Sequence, residues 1–172
     1  GAGDFDAAGR IRNPRALEKQ IDGTIANLAA ALDTESCTLD DVVRLKAFVP
    51  AGSDEWAAIA GLARHFEADP MPAISTVTET LQPWTGQAIQ VQAIAQRGWR
   101  NHGDVRVATR PVPEAKRALF KGRPVTGGLR AGEFIALSNR SAADANGVIA
   151  KPDDGIAQSH AIMAMHEATL AS

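Results

Sequence analysis

Leu39-Asp-Asp-Val-Val-Arg-Leu-Lys-Ala-Phe-Val49 places Val43, Leu45, Ala47 and Val49 on one side of an extended chain and Arg44, Lys46 and Phe48 on the other, until Pro50 ends the alternation. A period of two is the pattern of a strand with one buried face, and proline cannot donate to a ladder. Thr38 to Asp41 opens the strand as a turn or short helical cap.

Working outward, Leu17, Ile21, Ile25, Leu28 and Leu32 recur at helical spacing and predict an amphipathic helix over 14–33, with Asn13 as N-cap and Pro14 in the first turn. On the other side, Ser53 or Asp54 caps a second helix over 55–67, with Ile59, Leu62, Ala63 and Phe66 as its apolar stripe, and Asp69-Pro-Met-Pro72 breaks it. Residues 73–80 and 87–95 are β-branched or alternating and predict two adjacent strands joined by a turn at 83–86. Val125 to Arg130, a turn at 131–133 and Phe134 to Ser138 predict a β-hairpin, followed by a helix over 154–171.

The chain also repeats itself. Asp6-Ala-Ala-Gly9-Arg-Ile11-Arg-Asn-Pro14 and Asp144-Ala-Asn-Gly147-Val-Ile149-Ala-Lys-Pro152 match without a gap, and the match runs on through Gln20 with Gln158, Ala26 with Ala164, Ala30 with Ala168 and Leu32 with Leu170. The offset of 138 is the length of a domain rather than of a solenoid repeat. The expected organisation is the later part of one unit (1–99), a Pro-punctuated linker with one short extended piece (100–119), and the opening hairpin and helix of a second unit (120–172). Placing second-unit elements ahead of first-unit elements gives hairpin, helix, strand, helix, strand, strand. That order builds an α+β structure, a mixed sheet with helices packed on one face. The hairpin of 120–150 is expected to complete the first unit's sheet, either within the chain by pairing Phe134 to Ser138 with Val42 to Val49 or by exchange with a neighbouring chain, unless residues ahead of Gly1 supply a hairpin of their own.

Composition narrows the function classes. The 172 residues are 45% hydrophobic and 22% charged with a formal charge of −2, which gives no electrostatic reason to expect nucleic acid or an anionic membrane as partner. Ribonuclease activity is disfavoured by the same balance and by the scarcity of aromatics. The single Cys37 excludes an intrachain disulfide and fits a reducing, cytoplasmic setting. No apolar run approaches the roughly 18 to 20 residues of a membrane-spanning helix.

Several short runs resemble, in order, those of the Rid (YjgF/RidA) family of small trimeric imine deaminases. Leu39 to Val49 is similar to its "sLdDVVkvtvfl" run, Pro72-Ala-Ile-Ser-Thr-Val77 to "PaRsTv", and Ile89 to Ala95 to the closing "vEieaiA" strand. In the second unit Arg130 to Ser138 resembles "rvGnlvfvSGq", and Asp144 to Ile149 resembles "dp.tGevv". The resemblance implies a chorismate-mutase-like fold, a trimer or pseudo-trimer in which another chain completes the fold, and a small-molecule cleft between units. In that cleft an arginine binds the carboxylate of a 2-imino acid, while a glutamate and backbone groups position the hydrolytic water.

This chain departs from the pattern at those positions. The arginine of "PaRsT" is Ile74, the closing-strand glutamate is Gln92, and the aromatic ahead of the first hairpin strand is Val125. Isoleucine cannot bind a carboxylate, and a glutamine has no ionisable proton near neutral pH. The residues left to form a site are Thr76 and Gln92 for the chemistry, with Ile74, Ser75, Gln90, Ser138 and Arg140 around the substrate. Arg140 is the cation that could replace the missing anchor. The expected activity is hydrolysis of a small imine, enamine or related C–N substrate without a cofactor. The alternative is a catalytically degenerate ligand-binding or assembly module.

The other candidates carry less. His160 and His166, six apart on a helix, fall on nearly opposite faces and make no metal pair. His65 reads as a surface histidine and Cys37 as an inert thiol. The glycine-rich Gly122 to Gly128 matches no nucleotide-binding fingerprint.

Overall fold

The computed structural model describes residues 1–79, 83–144 and 148–171. Thr80, at the end of one expected strand, and residues 145–147, inside the second repeat segment, lie outside the described residues. Helix α1 (Leu17–Thr34) is followed by strand β1 (Val42–Pro50), helix α2 (Glu55–Ala63), strands β2 (Ala73–Glu79) and β3 (Gln90–Ala95), then β4 (Val105–Arg110), β5 (Val125–Ala131), β6 (Phe134–Leu137) and helix α3 (Gly155–Ala171).

The alternation that predicts β1 also makes it the central strand. Val42, Leu45, Ala47 and Val49 are completely buried in one apolar cluster, whereas Val43, expected beside Leu45, is buried in another because the register shifts between Val42 and Arg44; β1 pairs in parallel with β2 and antiparallel with β3 in the order β2-β1-β3. The two strands expected to be neighbours across the turn at 83–86 are therefore separated by β1. A parallel β1–β2 pair needs a crossover, which α2 supplies, and β3 then takes the other edge of β1. Both edges of β1 are filled from within residues 1–99, so the expected pairing of Val42 to Val49 with Phe134 to Ser138 does not form. Ala2 exchanges two backbone hydrogen bonds with Val91 of β3, at 2.7 and 2.8 Å.

Helices α1 and α2 cover one face of this mixed sheet with Ile21, Ile25, Leu28, Ile59 and Leu62, each contributing about 1.5 to 3 kcal/mol when fully buried, and α2 ends at Ala63, short of the expected 67, so that Phe66 joins the same cluster from the turn that follows. Gly61 of α2 permits their close approach, since a Cβ there would fall 2.6 Å from Cδ1 of Ile21. Asp54 caps α2 as expected, accepting from the N–H groups of Trp56 and Ala57. Asn13 does not cap α1: its amide donates to Asp4, Arg15 turns the chain at a φ of 64°, and the helix begins at Leu17.

β4, β5 and β6 form a second, antiparallel sheet in that order. Its β5–β6 hairpin turns at Gly132, whose φ is 61°. Leu129, Ala131 and Ala136 of this hairpin pack with Val43, Ala73 and Trp99, so the second sheet lies against the β2 side of the first. β4 and a short 3-10 segment (Glu114–Phe120) occupy the stretch read as a linker. The Asp154 side chain accepts from Ala157 N and starts α3.

The repeated segments carry repeated hydrogen bonds. Phe5 bridges to Ile11 as Ala143 bridges to Ile149. The Asp6 carboxylate accepts from the N–H of Arg10 at 2.9 Å as that of Asp144 accepts from Val148 at 2.9 Å. Gln20 Nε2 donates to the Asn13 carbonyl at 2.7 Å as Gln158 Nε2 donates to that of Lys151 at 2.8 Å. Each pair is separated by the same offset of 138.

Candidate functional site

β2 is an edge strand of the first sheet, and the turn leaving β6 is laid along it. Asn139 accepts from Thr76 N at 3.2 Å through its Oδ1, and its Nδ2 donates to Thr76 O at 3.2 Å and to Thr76 Oγ1 at 3.3 Å. One carboxamide thus takes the place of a neighbouring strand at Thr76. The backbone N–H of Asn139 donates to Ser75 Oγ at 2.9 Å.

Three charged side chains reach this junction. Glu55, in the first turn of α2, accepts from Thr76 Oγ1 at 2.7 Å through Oε2. Arg110, the last residue of β4, stacks its guanidinium 4.4 Å from the centroid of the Trp56 ring and donates to Asn139 Oδ1 at 3.3 Å. Arg140 donates to Thr169 Oγ1 of α3 at 3.1 Å. Burial first, and the neighbouring charge of Arg140 second, push Arg110 down to about 10, while Glu55 acts in the opposite direction. Burial likewise lowers Arg140.

The structure gathers some of the residues singled out by sequence and separates the others. Thr76, Ser75, Ser138 and Arg140 lie at the junction. Two of them are committed locally: Ser138 Oγ donates to the Gly127 carbonyl at 3.2 Å, and Ser75 Oγ binds the Asn139 N–H. Ile74 is fully buried in the apolar cluster under the helices and faces no cleft. A cation at that position would be buried without a partner. Gln90 and Gln92 lie on β3, beyond β1 from β2. Lys46 pairs with both Ser75 and Gln92, so Gln92 stands two strands, about 10 Å, from β2, and it is exposed.

Sequence reading missed Glu55, Trp56, Arg110 and Asn139. Glu55 and Trp56 sit in the first turn of a predicted helix, and Arg110 opens the Arg110-Pro-Val-Pro run, so each has a sufficient local reading. The usable signal was a polar Asn139-Arg140 pair at the end of a hairpin strand.

Chemically, the junction offers a carboxylate fixed by a hydroxyl, a carboxamide and two guanidinium groups. Among the described residues no three histidine, cysteine or acidic side chains cluster to hold a metal ion, and no helix is long and apolar enough to cross a membrane.

No family profile matches the chain, and no curated protein matches it. Among solved structures, the chain is similar to the Rid-family protein YyfB of Yersinia pestis, described as of unknown function, at 26% identity over 55% of this chain and 73% of that one, with a TM-score of 0.48. It is similar to a candidate endoribonuclease of Thermotoga maritima at 24% identity, covering 55% of this chain and 72% of that one, with a TM-score of 0.47. RidA of the Antarctic bacterium Psychrobacter sp. matches at 20% identity over 54% and 73% of the two chains, also with a TM-score of 0.47. The chain is similar, over about half its length, to solved structures of the Rid family.

Proposed function

We propose that this chain is a Rid-like hydrolase acting on a small imine, enamine or related C–N substrate beside Thr76, in a cleft between the parts of two units. The observation that carries the reading is the 2.7 Å hydrogen bond from Thr76 Oγ1 to Glu55 Oε2 at the strand edge where Asn139 and two arginines converge. Hydrolysis of a C=N bond needs a group that removes a proton from water and returns one to nitrogen. Gln92 cannot do this and Glu55 can.

In the proposed step the water oxygen bonds to the imine carbon as the π pair moves onto nitrogen, and Glu55 takes the water proton. Return of that proton to nitrogen gives a carbinolamine, and a second transfer through Glu55, from the carbinolamine hydroxyl to its nitrogen, accompanies cleavage of the C–N bond, releases ammonia and leaves a carbonyl compound. Thr76 holds the carboxylate in place, and the Asn139 carboxamide fixes the hydroxyl. The hydrogen bonds that recur at the offset of 138 support a chain made of parts of two units, 1–99 and 120–172, and the reading has such units assemble as a trimer or pseudo-trimer.

The test is ammonia release from 2-imino acids generated in place by an amino-acid oxidase. The parent protein should accelerate release over buffer, and Glu55→Gln should lose about 100-fold or more of that acceleration. No acceleration by the parent sinks the reading. In that case saturable binding of a keto or amino acid would favour a ligand-binding module that no longer catalyses.

A further inference from the structure

Arg110 makes no hydrogen bond to Thr76 or Glu55, yet it closes a ring of contacts that contains both. Its guanidinium lies 4.4 Å from the centroid of the Trp56 ring and donates to Oδ1 of Asn139 at 3.3 Å. From there Asn139 Nδ2 donates to Thr76 Oγ1 at 3.3 Å, Thr76 Oγ1 donates to Glu55 Oε2 at 2.7 Å, and Glu55 adjoins Trp56 in the first turn of α2. The ring joins the end of β4, the turn after β6, β2 and α2. Phe120 also packs edge-on against Trp56 with centroids 6.0 Å apart, and Lys116 pairs with Asp54, the cap of α2, at 2.6 Å. Residues 110–120 therefore fasten the helix turn that carries Glu55.

The hydrogen bonds in this ring have a direction. The Asn139 carboxamide fits only one way round, because its Oδ1 accepts from Thr76 N as well as from Arg110, while its Nδ2 donates to Thr76 O. Reversed, it would set an N–H against two donors and an oxygen against a carbonyl. Nδ2 thus points at Thr76 Oγ1, and the single hydroxyl hydrogen goes to Glu55 Oε2. Arg110 is the charged start of this chain. Its charge-assisted bond to Oδ1 polarises the carboxamide and strengthens the donor that Nδ2 presents to the next link. Oε2 of Glu55 is occupied as an acceptor, whereas among the described residues Oε1 has no hydrogen-bond partner.

We propose that Arg110 is a positioning residue for hydrolysis by Glu55: through Asn139 and Thr76 on one side and Trp56 on the other, it fixes Oε2 and leaves Oε1 as the oxygen that takes the proton from water. The chemical consequence rests on the hydrolytic reading, while the linkage is a property of the fold. A carboxylate free to swing loses the geometry that proton transfer needs, and a misplacement of about 1 Å can cost about 100-fold in rate. Arg110 touches no substrate in this role. Its removal therefore acts on kcat and not on KM.

The experiment makes two measurements on the full chain. In the imino-acid assay Arg110→Met should lower kcat about tenfold or more, with KM within about twofold of the parent's and no loss of thermal stability. An unchanged kcat overturns the proposal, and so does a loss confined to KM, which would make Arg110 a substrate-binding group. The second measurement needs no turnover. The coupling between Thr76→Val and Glu55→Ala, read by urea unfolding, should fall to half or less when the cycle is repeated in the Arg110→Met background. A coupling unchanged in that background overturns the positioning role whatever the assay shows. If the parent releases no ammonia, the hydrolytic reading fails by itself, and the cycle alone decides whether Arg110 sets the place of Glu55. If Arg110→Met does not fold, Trp56→Leu, which removes the ring face under the guanidinium, goes through the same cycle and is held to the same outcome.

Discussion

Thr76 of β2 donates its hydroxyl hydrogen to Glu55 of α2 at 2.7 Å, tying the edge of the first sheet to the first turn of the helix that crosses over it. A hydrogen bond to a charged acceptor contributes about 1.5 to 3 kcal/mol at most, and about 1 kcal/mol is expected at this half-buried position. Thr76→Val keeps the shape and removes the donor. A double-mutant cycle with Glu55→Ala, read by urea unfolding, should return a coupling of about 1 kcal/mol. A coupling of zero would show that the bond does not hold in solution.

Arg110 should make the unliganded protein less stable rather than more. Its folded value is lowered from the ordinary arginine value to about 10, so between those limits the unfolded chain binds more protons than the folded one and stability rises with pH. At neutral pH the penalty is fully present. Arg110→Met keeps apolar contact with Trp56 and removes the charge, so in anion-free buffer it should unfold at a temperature equal to or above that of the parent. The gap should shrink as pH passes about 10. A clear loss of stability in the variant at pH 7 would contradict this account.

Gly61 and Ile21 predict a non-additive pair. Gly61→Ala gains about 1 kcal/mol in helix propensity but drives a methyl into Cδ1 of a fully buried isoleucine, for a net loss of about 1 to 2 kcal/mol. Ile21→Val removes the offending carbon. The double variant should therefore be more stable than the sum of the single changes, as measured by chemical denaturation.

Gln20 and Gln158 offer an internal comparison. Gln20 is completely buried, donates to the Asn13 and Gly86 carbonyls and accepts from Ala88 N. Gln20→Leu strands several groups at once and should cost about 2 to 3 kcal/mol. Among the described residues the Gln158 side chain donates only to the Lys151 and Pro152 carbonyls, in exposed surroundings, and Gln158→Leu should change stability by less than about 0.5 kcal/mol. Thermal unfolding of the two single variants checks the ratio.

What could be read from sequence was local. The alternation around Leu45 gave β1, the run from Leu17 to Leu32 gave α1, and Asp54 marked the start of α2, because each signal and its structure lie within one stretch of chain. Asn13 misled because its amide bonds to Asp4, nine residues earlier, rather than to its own helix. The order β2-β1-β3 was hidden because a turn at 83–86 reads the same whether or not its flanking strands pair. The site was legible only where a residue sat beside a recognisable motif, as Arg140 does. Arg110 lies 54 positions from Trp56, and no property of the Arg110-Pro-Val-Pro run says that its guanidinium will cross to that ring.

The duplicated turn has a consequence for misassembly. Two segments that fold the same way can exchange places, and neighbouring similar units are prone to such swaps. Here the turns are shared but the helices after them are not interchangeable. The α1 positions filled by Ile21, Thr24 and Leu28 correspond in α3 to Ser159, Ile162 and His166. If α3 took the seat of α1, Ser159 would leave empty the space that Ile21 fills against Gly61, at a cost of about 3 kcal/mol, and His166 would bring a polar ring into the place of Leu28. Divergence along one helix face, with the turn kept, directs each copy to its own place.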